Sequence, residues 1–252
     1  MKGPDLLVEH LRSNLYHPRS DAHSNALCRG ILADLIENCP SFAQRAARGE
    51  IVAQLNHTAT VGHEDWNVDL AVGPPRGVPT PPSGGEGILF APPAVIELAL
   101  EAKSVMTEHG KARRNRLRDL QAFHGHAHAY DPNVVAIGVV VVNVAEFFWS
   151  PTRSASDITR HRGIDDLGES TIDLYRNLPL RRRPTEGAGF EAVAVIVVRH
   201  DNIRKNVNLP AGSPTPADTV LVTKPPAPAV GDPLEYGTMI VRACSAYKER
   251  WG

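Results

Sequence analysis

Two apolar runs that are rich in β-branched residues constrain the fold of this chain more than any other feature of its sequence. They read NVVAIGVVVVNVA at residues 133–145 and FEAVAVIVVR at residues 190–199. Runs without polar alternation are typical of strands that are buried on both faces of a sheet. The chain is therefore expected to contain a sheet that is covered by helices on both sides.

Other segments have the periodicity of amphipathic helices. Apolar residues recur at helical spacing in 4–16, 21–38, 107–129, 165–177 and from about 234 to 251. Ser41, which follows Pro40, can cap a further short helix that runs to Ala47. Three of the expected helices thus precede the first strand.

Two segments alternate between apolar and polar residues, which is the pattern of a strand with one buried face. They are HEDWNVDLAVG at 63–73 and AVIELALEAKSV at 94–105. Helices come first, followed by strand, strand, helix, strand, helix and strand, so the order predicts an α/β fold with a mixed central sheet of four core strands. With 252 residues, 42% of them hydrophobic, the chain is long enough for one such domain.

Proline is concentrated in two segments of the chain. Residues 73–93 and 210–233 hold seven prolines each. This density is incompatible with a helix or a central strand, so both segments are expected to be loops. Because periodic apolar segments flank each of them, they are expected within one domain rather than as linkers between two. We divide the domain into a helical amino-terminal region (1–60), a core (61–200) and a proline-rich loop with a closing helix (201–252).

Charge and cysteine content exclude several classes of protein. Lysine plus arginine number 27 and aspartate plus glutamate 28, and the net charge of −1 excludes a globally basic polyanion binder. No apolar run reaches the roughly 18 residues of a membrane helix, and no secretory signal is recognisable, which predicts a cytoplasmic protein without membrane contact. Cys28, Cys39 and Cys244 form no CxxC pair, so we expect reduced thiols rather than a disulfide framework or a zinc site.

Three ionisable residues on the two alternating strands form the candidate site. Asp69 lies on the polar face of the first strand, and Glu101 and Lys103 share the polar face of the next. Two carboxylates that face each other repel unless a cation lies between them, and Mg²⁺ held by carboxylate oxygens, a backbone carbonyl and waters is the usual solution. The alternative is a solvated strand face that carries a weak ion pair.

In this order the residues resemble the PD-(D/E)xK nuclease superfamily, which has the restriction-endonuclease-like fold. Asp69 on one strand, Glu101-Ala102-Lys103 on the next, then a helix and a buried strand follow the pattern over roughly residues 30–200, and Val68 stands where the family often has proline. The resemblance implies Mg²⁺-dependent phosphodiester hydrolysis, with Mn²⁺ as a substitute and residues 61–200 as the catalytic core. It implies Asp69, Glu101 and the Ala102 carbonyl as metal ligands, and Lys103 near the nucleophile.

The resemblance leaves the remaining acidic residues open. Some relatives take a further acidic ligand from the helix before the first strand, and Glu50 or Glu37 would serve here. Glu97 shares the face of Glu101 and is either a second ligand or a structural residue.

A basic stretch of the predicted helix after Lys103 supplies candidates for DNA binding. They are Lys111, Arg113, Arg114, Asn115 and Arg118, within a run that also contains Arg116. Such side chains would contact phosphates, which set affinity and register but carry no base identity. The alternative is a solvated helix face that Glu108 and Asp119 partly balance.

The sequence as a whole favours a type II restriction endonuclease that cuts double-stranded DNA, with a cognate DNA methyltransferase as a genetic partner. Cleavage of both strands at a symmetric site needs two active sites related by a dyad, so a homodimer is expected. Base recognition would fall to the proline-rich loops, the amino-terminal helices and the segment 146–165. The alternatives are a repair, recombination or RNA-directed nuclease of the same fold, and a non-catalytic nucleic-acid-binding subunit.

Overall fold

The computed structural model describes residues 1–82, 87–206 and 208–252. In this part of the chain the helices are α1 (Lys2–Ser13), α2 (Ala22–Asn38), α3 (Pro40–Ala47), α4 (His109–Tyr130), α5 (Ile164–Tyr175) and α6 (Tyr236–Trp251). All six were predicted, and their ends differ from the predicted ends by at most three residues. None of these helices combines the length and the apolar character that crossing a membrane requires.

Nine strands lie between and beside the helices in the described residues. They are β1 (Val52–Val61), β2 (Glu64–Gly73), β3 (Leu89–Phe90), β4 (Leu98–Val105), β5 (Val135–Asn143), β6 (Phe147–Trp149), β7 (Ile158–Arg160), β8 (Ala192–Arg199) and β9 (Val220–Val222). Seven of them form one sheet in the order β3-β1-β2-β4-β5-β8-β9, and β6 and β7 pair separately as a hairpin.

The large sheet is mixed. Strand β2 is antiparallel to both β1 and β4, whereas β1 is parallel to β3, and β5 is parallel to both β4 and β8. Strand β9 is antiparallel to β8. The predicted α/β class with a mixed central sheet flanked by helices is confirmed. The four predicted core strands are all present, and the sheet is wider than predicted because β1, β3 and β9 extend it.

A hydrophobic cluster lies on each face of the sheet. One contains apolar side chains of α1, α2, α3 and α6, including Ile31 and Tyr247, and the other contains side chains of α4 and α5, including Leu120 and Ile172. All nine residues of β5 are buried, because its side chains alternate between the two clusters. This covering of both faces explains why the β5 and β8 segments lack polar alternation.

The region predicted to be helical, residues 1–60, is helical only as far as Ala47. Its last part is β1, which forms an antiparallel hairpin with β2. The outer half of β1 alternates between partly buried and exposed residues and is rich in threonine and alanine. Without large apolar residues on its inner face, this strand has little hydrophobic periodicity for sequence analysis to detect.

The two proline-rich segments are mainly loops, as predicted, although each also contributes one short strand. Strand β3 pairs with β1 at one edge of the sheet and β9 pairs with β8 at the other. Proline is tolerated near such edge strands because few of their backbone amides are needed for pairing. Residues 83–86 of the first predicted loop lie outside the described residues.

The cysteines differ from the prediction of reduced thiols. Cys39, just before α3, and Cys244, on α6, form a disulfide with their Cα atoms 5.4 Å apart. Cys28 is a free, buried thiol. The partners are 205 residues apart in sequence, so only the packing of α3 against α6 brings them together.

Candidate active site

Asp69 lies at a gap in the backbone pairing of β2. The β1–β2 ladder omits Asn56 and Asp69, which would otherwise face each other, and Asn56 has a φ of 50°. On the other side, the pairing of β2 with β4 begins only at Leu70, opposite Leu100. Asparagine is one of the few residue types that tolerate this left-handed conformation. At this gap the backbone of Asp69 is outside both ladders, and its carboxylate forms a hydrogen bond to β4.

The gap also marks a change of face along β2. Trp66 and Val68 belong to the cluster under α4, whereas Leu70 and Val72 belong to the opposite cluster under α2. The prediction that β2 has one apolar face along its whole length is therefore wrong. A residue in the left-handed region turns the strand direction much as a β-bulge does, and here it places Asp69 at the turning point.

The carboxylate of Asp69 bridges β2 to β4. Its Oδ2 accepts a 2.7 Å hydrogen bond from the backbone amide of Ala102. The N–H and C=O groups of one strand residue point to the same side, so the carbonyl of Ala102 is also directed toward the Asp69 side of β4. The structure thus brings together two of the three oxygen donors that the sequence predicts for a metal ion.

Glu101 and Lys103 contact each other beside this bridge. Oε1 of Glu101 forms an ion pair with Nζ of Lys103, and Glu101 is only 8% exposed. Burial, and after it the negative charge of Asp69, raises the pKa of Glu101 to about 7, although Lys103 opposes the shift. Burial also raises the pKa of Asp69, against the effects of the Ala102 amide and of Lys103. When both carboxyls are ionised, one lysine leaves the site with excess negative charge.

A cleft of about 140 Å³ opens beside Asp69 and Lys103. Its other wall is formed by the loop after α1 and by the first turn of α2, and Arg116 of α4 borders it. A larger cavity of about 330 Å³ adjoins it, and the two share Tyr16, Pro18, Ser104 and Arg116. The candidate site therefore lies in one end of a longer groove.

Neither predicted source of a further acidic ligand reaches this cleft. Glu50 lies 3.8 Å from Arg45 and 3.6 Å from Arg48, and Glu37 lies 3.3 Å from Lys2. Instead Asp21, at the amino-terminal end of α2, lines the cleft, and its charge contributes to the raised pKa of Asp69.

Sequence analysis overlooked Asp21. Its position before an amphipathic segment marks it only as a helix start, because capping residues and ligands use the same side chains. The neighbouring His23 also lines the cleft, and burial lowers its pKa to about 4.

Glu97 is a structural residue. Its two carboxylate oxygens accept hydrogen bonds of 2.7 and 2.9 Å from the guanidinium of Arg45, and the hydroxyl of Tyr247 donates a third of 3.0 Å. These contacts bind α3 and α6 to the start of β4. The carboxylate is fully engaged there, so of the two alternatives the structural one applies.

Only some of the predicted DNA-binding residues of α4 line the groove. Lys111 and Asn115 line the larger cavity. Arg113 donates a 2.6 Å hydrogen bond to a serine hydroxyl of α5, and Arg118 donates one of 2.8 Å to Oδ1 of Asn115. Arg114 is exposed and lies outside both parts of the groove.

Two further arginines border the groove. Arg116 lines both parts of it, and Arg153, in the loop of the β6–β7 hairpin, lines the larger cavity. Arg116 is in the basic run of α4, so its helical position was the available signal. Arg153 lies in the segment 146–165, which was predicted to take part in base recognition, and the fold of the hairpin brings it to the groove.

The donors at the site suit a hard cation. Among the described residues, no group of three or more His, Cys, Asp and Glu side chains is arranged to hold a metal ion. Asp69, Glu101 and the Ala102 carbonyl offer only oxygen atoms, and Mg²⁺ is commonly held by one or two carboxylates together with waters and substrate phosphates. The excess negative charge of the two carboxylates agrees with such an ion.

Comparisons with known proteins identified no relative of this chain. No protein-family model matches the chain, and no curated protein and no solved structure matches it significantly. Function is therefore inferred from the geometry and charge of the groove.

Proposed function

We propose that the protein is a Mg²⁺-dependent endonuclease that hydrolyses phosphodiester bonds of double-stranded DNA. The observation that carries the proposal is the meeting of Asp69, Glu101 and Lys103 at the gap between β2 and β4, beside a groove that Asp69 and Lys103 line. The order of elements supports it as well. The Asp69 strand is antiparallel to the Glu101 strand, and helix α4 and the parallel strand β5 follow, which is the arrangement that the resemblance to PD-(D/E)xK nucleases implies.

Each residue has a role that its contacts support. The carboxylates of Asp69 and Glu101 and the carbonyl of Ala102 would hold Mg²⁺, for which Mn²⁺ can substitute. A bound Mg²⁺ would supply charge neutralisation at the phosphate and would activate the attacking water. The Ala102 amide holds Asp69 in place, and the positive charge of Lys103 stabilises negative charge that develops on the attacking oxygen and the phosphate.

The burial of Glu101 argues against a solvated strand face. A surface ion pair contributes little to stability and leaves the pKa of its carboxyl near the ordinary value. Here a carboxyl with 8% exposure has its pKa raised to about 7 by burial and by a second carboxyl. Such an arrangement destabilises the fold at neutral pH, and unfavourable charge placements of this kind concentrate at functional sites.

We further propose that the enzyme acts as a homodimer of the type II restriction class. Cutting both strands of a symmetric site requires two copies of the groove related by a dyad. Sedimentation velocity of the DNA complex tests the dimer. Preference for single-stranded DNA or RNA over duplex would instead favour a repair, recombination or RNA-directed nuclease.

Incubation with plasmid DNA in Mg²⁺, Mn²⁺ or EDTA tests the proposed activity. We expect discrete fragments in either metal and intact plasmid in EDTA. Asp69→Ala and Lys103→Ala should abolish cutting, whereas the matched variant Asp65→Asn, an exposed acid on the same strand, should cut normally. Sustained cutting by both site variants would refute the site assignment.

A further inference from the structure

The cavity next to the Asp69 cleft has a basic lining. Lys111, Arg116 and Arg153 supply three positive charges, and Ser104, Ser150 and Thr152 supply hydroxyl groups. These side chains come from β4, from α4 and from the segment that follows β6. A cavity in which positive charges and hydroxyl groups converge from three sides is suited to an anion that accepts several hydrogen bonds.

One carboxylate occupies this basic cavity. Among the described residues that line it, Glu108 is the only acidic one, and its Oε1 forms an ion pair with a guanidinium nitrogen of Arg153. Arg116 and Arg153 also lie 3.0 and 3.5 Å from Asp119 and Asp157. All three carboxylates are about half exposed, and of the three only Glu108 lines the cavity. Exposed pairs of this kind contribute little free energy, so they do not prevent the arginines from taking another anion.

We propose that this cavity holds a phosphate of the DNA backbone, and that the carboxylate of Glu108 occupies Arg153 until that phosphate displaces it. The inference rests on the proposed nuclease function. A guanidinium binds carboxylate and phosphate oxygens with the same planar pair of donors, so the Glu108 carboxylate can stand in for the phosphate. Four residues line both this cavity and the Asp69 cleft, so the two spaces are continuous. A DNA strand whose phosphodiester bond is attacked in the cleft would therefore extend into the cavity.

Equilibrium binding of a labelled, random-sequence DNA duplex, measured by fluorescence anisotropy with Ca²⁺ in place of Mg²⁺, tests the inference without cleavage. We expect Arg153→Ala to weaken binding about tenfold and to reduce the slope of log K against log salt by about 0.9, the loss of one phosphate contact. We expect Glu108→Gln to strengthen binding about threefold, because a competing anion is removed.

Arg160→Ala is the matched control. Arg160 is on the same β6–β7 hairpin and forms a comparable ion pair with Glu146 at 3.0 Å, but it does not line the cavity. Its binding and salt slope should equal those of the unchanged protein. Equal losses for Arg153→Ala and Arg160→Ala, or weaker binding by Glu108→Gln, would overturn the inference while metal-dependent cleavage could still stand. A protein that binds no duplex at all would overturn both proposals.

Discussion

The backbone amide of Ala102 donates a 2.7 Å hydrogen bond to Oδ2 of Asp69, a residue 33 positions earlier in the chain. The bond forms where the ladder between β2 and β4 has ended, so a side chain takes the place of a backbone partner. It fixes the carboxylate of Asp69 beside the Ala102 carbonyl and within electrostatic reach of Glu101. The predictions below follow from this concentration of acidic groups and from the contacts that support it.

The first prediction concerns stability and pH. Burial and the charge of Asp69 raise the pKa of Glu101 from 4.5 to about 7. A group whose pKa is higher in the folded protein stabilises the fold fully below the unfolded value, and this contribution is lost as pH rises through the folded value. In EDTA, the contribution of Glu101 to the free energy of unfolding should therefore fall by about 3 kcal/mol as the pH rises from about 4.5 to about 7.

Glu101→Gln should remove most of this loss, and urea unfolding across the pH interval measures it. The matched control is Glu64→Gln, which changes an exposed glutamate of β2. It should keep the pH profile of the unchanged protein. Identical profiles for Glu101→Gln and the unchanged protein would contradict the raised pKa.

The second prediction concerns metal binding. Divalent cations bind the ionised carboxylates, so they compete with the proton that Glu101 holds below a pKa of about 7. We expect Mg²⁺, Mn²⁺ and Ca²⁺ to raise the thermal midpoint of unfolding, with a larger rise above this pH than below it. Differential scanning fluorimetry measures the rise, which Asp69→Asn should abolish and Asp65→Asn should retain. An equal rise in Asp69→Asn would place the metal elsewhere.

The third prediction concerns the structural role of Glu97. Arg45→Met leaves Glu97, whose side chain is 5% exposed, without its bidentate partner, and breaking a buried pair in this way costs about 3 to 5 kcal/mol. Urea unfolding should show this loss for Arg45→Met and a change under about 0.5 kcal/mol for Arg48→Met, whose side chain is 64% exposed. Adding Glu97→Gln to Arg45→Met should restore part of the stability. Equal effects of the two arginine changes would refute the role.

The fourth prediction concerns the disulfide between Cys39 and Cys244. A thiol assay on the denatured, unreduced protein should find one free thiol per chain, Cys28, and three after reduction. Reduction should lower the free energy of unfolding by about 3 to 5 kcal/mol, because the bond closes a long loop in the unfolded chain. Cys28→Ala should keep this sensitivity to reduction. Three free thiols before reduction would show that the bond is absent.

Sequence analysis located the central strands and the candidate site because these depend on local patterns. The apolar runs of β5 and β8, rich in β-branched residues, reflect burial on both faces, and the spacing of Glu101 and Lys103 follows from strand geometry. The face change of β2 was not predictable, since alternation alone cannot show that Asn56 of the partner strand adopts a left-handed conformation.

Contacts between segments that are distant in the sequence could not be predicted either. Asp21 reaches the cleft because α2 packs across the sheet, and Arg153 reaches the groove because the β6–β7 hairpin folds beside α4. Glu50 and Asp21 are both acids near the expected helices, and only the three-dimensional packing separates the one that pairs with Arg45 from the one in the cleft.

The single-turnover rate of plasmid nicking tests the central claim, that Asp69, Glu101 and Lys103 form one metal-dependent catalytic unit. At saturating Mg²⁺, Asp69→Asn, Glu101→Gln and Lys103→Met should each lower the rate by about 100-fold or more. The triple variant should be little slower than the slowest single variant, because groups that act as a unit are not additive. Asp65→Asn should nick at the unchanged rate. Site variants that nick as fast as Asp65→Asn would contradict the claim.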